Sequence, residues 1–323
     1  MHIENIFTKA FFSVLLFSIT FTACKKDDFK GERNNLDEQN NEFAQSNPLG
    51  AEEACNGYPK LCEKTFSSIV LPVSYNSYNC SQCGGSSNAA QQISVTAQLQ
   101  AGVRGLMLNV YEQDNPQFNN DEAYLSLVLK DYPTATEKWQ LISVLKEIKS
   151  FMQENSNEVL VLFIDGDAPV DLLIDALEKT QLTEYLYTHT GGSQWPVLGR
   201  MVYNNERLIV FNTRKSEANK WNHFSENYIL HSAKNHSTPA DITCSVESGA
   251  ELKTFYMMHH YLDIVVAQNE IPSNYEQVNS SSFLLERLLE CTDVLESNPN
   301  FVVLKQVHFG TYEQAFKIVN GVQ

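Results

Sequence analysis

The sequence predicts an α/β protein built as a single (β/α)8 barrel domain. Short runs rich in β-branched and aromatic residues alternate with amphipathic helical segments, the pattern of parallel strands joined by crossover helices. These runs are spread over residues 51–323, a span of about 270 residues that suits a barrel of about 250. No glycine-rich phosphate turn follows any strand, which disfavours the alternative, a doubly wound open sheet.

Residues 1–24 stand apart from that domain. After Lys9, AFFSVLLFSITF is an apolar run too short to span a bilayer and right for a secretory signal. It ends in FTAC, with small residues directly before Cys24, and so resembles a bacterial lipobox whose cysteine is lipidated and becomes the new N-terminus. The alternative is an ordinary signal peptide, since Phe21 stands where leucine is usual. Residues 25–50 are polar and almost free of aliphatic side chains, as expected of a flexible tether. Asp27 and Asp28 resemble the export signals of some surface lipoproteins. The expected location is therefore outside the cytoplasm, lipid-anchored at the outer-membrane cell surface, with the membrane as a partner through that anchor.

Of seven cysteines, setting Cys24 aside leaves six. In an oxidising compartment, proximity pairs Cys55 with Cys62, Cys80 with Cys83, and Cys244 with Cys291. The competing readings of CSQC are weaker: a zinc site needs a second ligand pair at similar spacing, and a redox motif needs a thioredoxin-like unit. The formal net charge of −16 argues against nucleic acid and against electrostatic docking on anionic lipid.

Along the domain, the expected strands are Ser68–Val73, Gly105–Tyr111, Tyr124–Leu129, Val159–Asp165, Tyr185–Tyr187, Arg207–Asn212, Thr254–His259 and Phe301–Gln306. Helical patterns lie between them. In EKWQLISVLKEIKSFMQEN, Trp139, Ile142, Leu145, Ile148 and Met152 recur every three or four residues and mark one buried stripe. VDLLIDALEKT, SFLLERLLECTDVL and YEQAFKIVNG behave alike. In such a barrel the chemistry sits at the C-terminal strand ends, here Ser74–Ser77, Asn109–Gln113, Leu127–Tyr132, Asp165–Asp167, Asn212–Arg214 and His259–His260.

The segment ACNGYPKLCEKTFSSIVLPVSYNSYN resembles the opening of the phosphatidylinositol phospholipase C-like phosphodiesterases of the extracellular plant and fungal type. The likeness continues through QISVTAQLQAGVRGLMLNVYE, VLKEIKSFMQENSNEVLVLFID, WPVLGRMVYNNERLIVFN, FYMMHHYLD and NPNFVVLKQVHFGTYEQAFKIVNG, nearly the whole chain beyond Ala51. The resemblance implies a somewhat distorted TIM-like barrel and chemistry by two histidines, one at the tip of the first strand as general base and one after the third strand as acid. An imidazole suits both tasks at neutral pH.

At the matching positions this chain departs from the family. The first histidine falls on Tyr75, and a phenol with a reference pKa of about 10 is a poor base at pH 7. The second falls near Leu127–Asp131, which reads LVLKD, and no histidine occurs between His2 and His189. The acidic residue ending the second strand falls on Asn109, while Asn76, Asp165 and Arg104 match. Each positioned acid or base contributes about 10²–10⁴-fold, so the family reaction is expected to be lost. No cofactor is expected. Calcium, the family alternative, prefers several carboxylates, and Asn76, Asn109 and Asp165 carry one charge between them.

Other residues are candidates for a ligand. Arg104 and Lys130 suit a phosphate, and Tyr75 and Tyr78 suit stacking on a sugar. Asp165 and Asp167 form either an acid/base pair or a turn capping the next helix. Of His259 and His260, strand alternation lets only one point inward, as a core histidine or a replacement acid/base. Three functions stand against each other. The first is a degenerate barrel that binds a phosphoester, a sugar or a protein partner at its mouth. The second is a divergent phosphoric diester hydrolase of lipid metabolism. The third is a structural component of a surface complex. Residues 115–126 are a candidate lid.

Overall fold

The structure is a computed structural model that describes residues 40, 53–85, 89–113, 124–127, 139–191, 194–234, 236–245, 253–263 and 271–322. The signal-like segment with Cys24, the tether apart from Asn40, and Lys130 fall outside these residues. The strands are β1 (Leu71–Ser74), β2 (Gly105–Gln113), β3 (Tyr124–Leu127), β4 (Trp139–Gln140), β5 (Leu160–Gly166), β6 (Leu208–Asn212), β7 (Asn222–Phe224), β8 (Ile229–His231), β9 (Phe255–His259) and β10 (Phe301–Leu304). The helices are α1 (Pro59–Cys62), α2 (Val95–Gln100), α3 (Leu141–Glu154), α4 (Val170–Lys179), α5 (Leu198–Tyr203), α6 (Ser225–Tyr228), α7 (Ile271–Val278), α8 (Ser281–Leu295) and α9 (Tyr312–Val319).

Eight strands pair in parallel in the order β7-β6-β5-β2-β1-β10-β9-β8, a curled sheet with helices outside it. The expected α/β barrel class is therefore observed. β7 and β8 are the two ends of the hydrogen-bonded path, and α6 links them across the seam.

Three expected elements are corrected. The third expected strand is not a barrel stave: β3 runs antiparallel to β2, and β4 antiparallel to β3. That pairing takes Trp139 and Gln140 out of the helical run, so α3 starts at Leu141. The expected strand at Tyr185–Tyr187 is a 3-10 turn over Leu182–Tyr185 followed by one bridge, Leu186 to Leu208. The ring is completed instead by β7 and β8, three residues each, too short to show a period in sequence.

Alternate residues on each stave point to opposite sides. Leu106, Leu108, Leu162, Val210, Met258 and Val302 face the helices and pack with Leu145, Ile148, Leu284 and Leu288. Val73, Phe163, Phe211, Phe255 and Phe301 face inward, where Phe66 and Trp195 join them. Phe163 and Phe301 meet edge to face at 4.9 Å, and Phe66 lies 5.3 Å from Trp195. This interior leaves no room for a side chain at Gly105, where a Cβ would come within 2.6 Å of Val73 Cγ2. The barrel is thus a packed core, with its floor at the N-terminal ends of the staves.

The floor is tied by polar contacts. Asn56 Oδ1 accepts from the Val159 amide at 2.7 Å, inside the loop closed by Cys55–Cys62. All three disulfides pair as proximity suggested, Cys80 with Cys83 and Cys244 with Cys291 being the others. Arg104, just before β2, donates through Nε to Glu158 at 2.5 Å and through Nη1 to the Leu99 and Val103 carbonyls, both at 2.8 Å. It also lines a cavity of about 110 Å³ at this end, between β1 and α9.

Candidate functional site at the barrel mouth

At the C-terminal end, the chain leaving β1 turns sharply. Asn76 adopts φ +42°, a left-handed conformation that asparagine tolerates better than most residues. Its Oδ1 accepts from Asn109 Nδ2 at 3.0 Å, joining the tips of β1 and β2. The Tyr78 hydroxyl also hydrogen-bonds the Asn109 side chain, and burial pushes that phenol well above its ordinary range. Asp165 stands opposite Asn109 across the β2–β5 pair, and its Oδ1 accepts from the Gly166 amide at 2.8 Å and from Thr213 Oγ1 at 3.4 Å.

Tyr75 sits between the tips of β1 and β10. Its amide donates to the Leu304 carbonyl at 2.9 Å, and its own carbonyl accepts from Gln91 Nε2 at 2.9 Å. Gln91, fully buried, also bonds the Leu304 carbonyl at 3.2 Å and accepts from the Val307 amide at 3.1 Å. The Tyr75 ring packs on Tyr261 with centroids 4.8 Å apart. The Lys305 ammonium lies 5.0 Å from the Tyr75 centroid and 4.7 Å from that of Tyr261, and pairs with Asp263 at 3.1 Å.

The histidine pair divides as strand alternation requires. His259 points inward, and its Nε2 lies 3.1 Å from His231 Nδ1 at the end of β8. Burial holds His259 well below the ordinary imidazole range. His260 points outward to the helices, with Nε2 2.9 Å from the Val278 carbonyl and its ring 5.6 Å from Phe283. Burial lowers it to about 4.

Several sequence-derived candidates are thereby placed. Tyr75, Asn76, Asn109, Asp165 and His259 gather at the mouth, whereas Tyr78 reaches it only through its hydroxyl on Asn109, its ring being buried in the helix-facing layer and so not open to stack on a sugar. Arg104 does not: it is at the floor, held by Glu158, because it precedes β2 rather than ending it. His260 is withdrawn into the helix layer. Asp167 is exposed beyond the tip of β5, and the N-cap of α4 is Pro169, so Asp167 does not cap that helix. The stretch 128–131, where the resemblance places the second histidine, and most of the candidate lid lie outside the described residues.

Three mouth residues escaped the sequence reading. Lys305 directly follows β10, so the strand-end rule applied to the last stave identifies it. His231 depends on the unrecognised β8, and Tyr261 lies one turn past an expected strand. The donors at the mouth do not fit calcium: Asn76 Oδ1 is already used by Asn109, and Asp165 is the one carboxylate of the set. Among the described residues, no group of three or more His, Cys, Asp or Glu side chains is arranged to hold a metal ion.

Comparison with known proteins agrees with this architecture. The family model of the PI-PLC X domain (PI-PLC X 1) matches residues 61–320. A PI-PLC X domain-containing protein 1 of Arthroderma benhamiae is 23% identical over 291 residues, covering 85% of this chain and 92% of that protein. A PI-PLC X domain-containing protein of Arabidopsis thaliana is 27% identical over 157 residues, 42% of this chain and 34% of that one. Among solved structures, the phosphatidylinositol-specific phospholipase C of Listeria monocytogenes superposes with a TM-score of 0.51 at 15% identity, covering 80% of this chain and 94% of that one. That of Staphylococcus aureus gives 0.53 at 12% identity, covering 84% and 100%. The curled parallel sheet and the match along most of its length make this chain a member of the PI-PLC X-domain family.

Proposed function

We propose that this protein is an exported, catalytically silent member of the family that binds a phosphorylated or sugar-like ligand at the barrel mouth. One observation carries the reading: the tips of β1 and β2 hold a phenol and two amides, Tyr75, Asn76 and Asn109, where phosphodiester cleavage needs groups that exchange protons. The amides are bonded to each other, and Tyr75 is packed under Lys305. Neither amide titrates, and a phenol is a weak base at neutral pH. Aromatic faces and an ammonium suit a sugar or an anion instead.

Export is supported by the secretory-type N-terminus, by three disulfides, and by a relative in Arthroderma benhamiae that bears the name "Uncharacterized secreted protein", 23% identical over 283 residues and covering 79% of this chain and 60% of that one. Lipidation at Cys24 would anchor the barrel to a membrane through the polar tether. Among the described residues no helix is long and apolar enough to cross one.

A divergent hydrolase is the second reading, favoured by the His231–His259 pair at the same mouth. A hydrolysis assay separates the two, using the full chain with phosphatidylinositol, glycerophosphoinositol and bis-p-nitrophenyl phosphate, with and without calcium. No turnover is expected from the wild type or from Tyr75→Ala. Turnover well above background that is lost in His231→Asn would establish the hydrolase and overturn the silent reading.

A further inference from the structure

The wall of the mouth formed by β8, β9 and β10 gathers two imidazoles and an ammonium. His231 ends β8, His259 ends β9, and Lys305 follows β10. Beyond β8, Lys234 is exposed, and buried His236 bonds through Nδ1 to the Tyr261 carbonyl at 3.1 Å. The charges of Lys234, His231 and His236 all act against a proton on His259, so their fields converge there. Among the described residues two carboxylates adjoin this wall, Asp263 paired with Lys305 and Asp241, which acts on His236 and accepts from the Ser237 and Thr238 amides. Tyr75 and Tyr261 contribute neutral ring faces. In a chain of net charge −16 this is a local concentration of basic groups.

We infer that this wall is the anion-holding side of the mouth and that protonation of His231 sets its grip, so that the ligand is held more tightly as the solution turns mildly acidic. The inference rests on the binding function proposed above. His231 is half-buried and shares its Nδ1 hydrogen bond with His259, whose ring lies 5.4 Å away at 18°. His259 is 1% exposed, so a proton arriving at the pair is carried by His231, whose Nδ1–H then donates to His259 Nε2. In that state His259 carries its own proton on Nδ1, a buried atom with no partner among the described residues. Lys305 supplies a fixed charge that an entering anion shares with Asp263. The imidazole supplies the part that varies between pH 5 and 8. By reciprocity, a bound anion must make His231 easier to protonate.

The test is calorimetric titration of the full chain at pH 6.0 and 8.0 with sodium sulfate and with glycerophosphoinositol, whose charges are constant over that range. Wild type is expected to bind both several-fold more tightly at pH 6.0, His231→Asn to bind equally at the two values, and Lys305→Met to bind weakly at both. NMR titration of the wild-type histidines gives a readout independent of any variant's folding: sulfate should move the His231 transition to higher pH. Unchanged pH dependence in His231→Asn, or a His231 transition that sulfate does not move, overturns the inference. Equal wild-type binding at both pH values overturns the gate and leaves the binding function standing, whereas no binding at either pH overturns both.

Discussion

The floor and the mouth of this barrel are built from similar residue types but spend them differently. At the floor, Arg104 gives its donors to Glu158 and two carbonyls, Asn56 closes on Val159, and Phe66 and Trp195 fill the space between the staves. At the mouth, Lys305 is held by the Leu262 carbonyl, by two ring faces and by Asp263, whose side chain is 43% exposed against 13% for Glu158, and His231 hydrogen-bonds His259. Groups fixed by many partners stabilise a fold, because removing one leaves several others unpaired in a low-dielectric interior. A group whose partner is open to solvent can exchange it for a ligand. The difference supports the mouth as the ligand-binding end in the proposed function.

Truncating the floor is the strongest way to probe that contrast. Trp195→Ala, removing a fully buried ring from the aromatic interior, should cost about 3–5 kcal/mol in urea unfolding. A loss below 1 kcal/mol would show that the floor does not carry the barrel. Acid comes next. Burial lowers His223 and His260 to about 4 in the folded state, against 6.5 for a free imidazole. The unfolded chain therefore binds more protons between these values, and stability is fully present above pH 6.5 and lost as pH falls toward 4. Each histidine should contribute about 3 kcal/mol to that loss, with His259 adding in the same direction. Unfolding midpoints that hold level from pH 7 to 4.5 would mean that these imidazoles titrate alike in both states.

Smaller effects are expected at the mouth. Asn109→Ala strips partners from Asn76 Oδ1 and the Tyr78 hydroxyl and should cost about 1–3 kcal/mol. Lys305→Met keeps an unbranched stem beside the tyrosine rings but loses the Asp263 pair and the Leu262 carbonyl bond, and should cost about 1 kcal/mol. If Lys305→Met were as costly as Trp195→Ala, the mouth would be a second structural centre.

Legibility followed the length of the pattern. The long apolar staves and the stripe on α3 were readable because each repeats its period over many residues. β7 and β8 were not, since three residues carry no period, and with β8 went His231. Lys305 and Tyr261 were missed for another reason: they lie far apart in the chain from Tyr75, and only the pairing of β1 with β10 and of β10 with β9 brings the three together. Arg104 erred in the opposite sense, its value inferred from residue type before its end of the strand was known.

By itself the sequence determined the α/β class, the positions of most staves, the disulfide pairs, and the presence of tyrosine and asparagine at the first two strand tips. These are local consequences of residue type and spacing. Only the tertiary structure decided that β3 and β4 leave the ring and that Arg104 belongs to the floor. It also decided that His231, His259, Tyr261 and Lys305 form one wall across from Asn109. Closing a parallel sheet on itself joins residues more than two hundred positions apart, and that proximity is set by strand order and register, which no local pattern encodes.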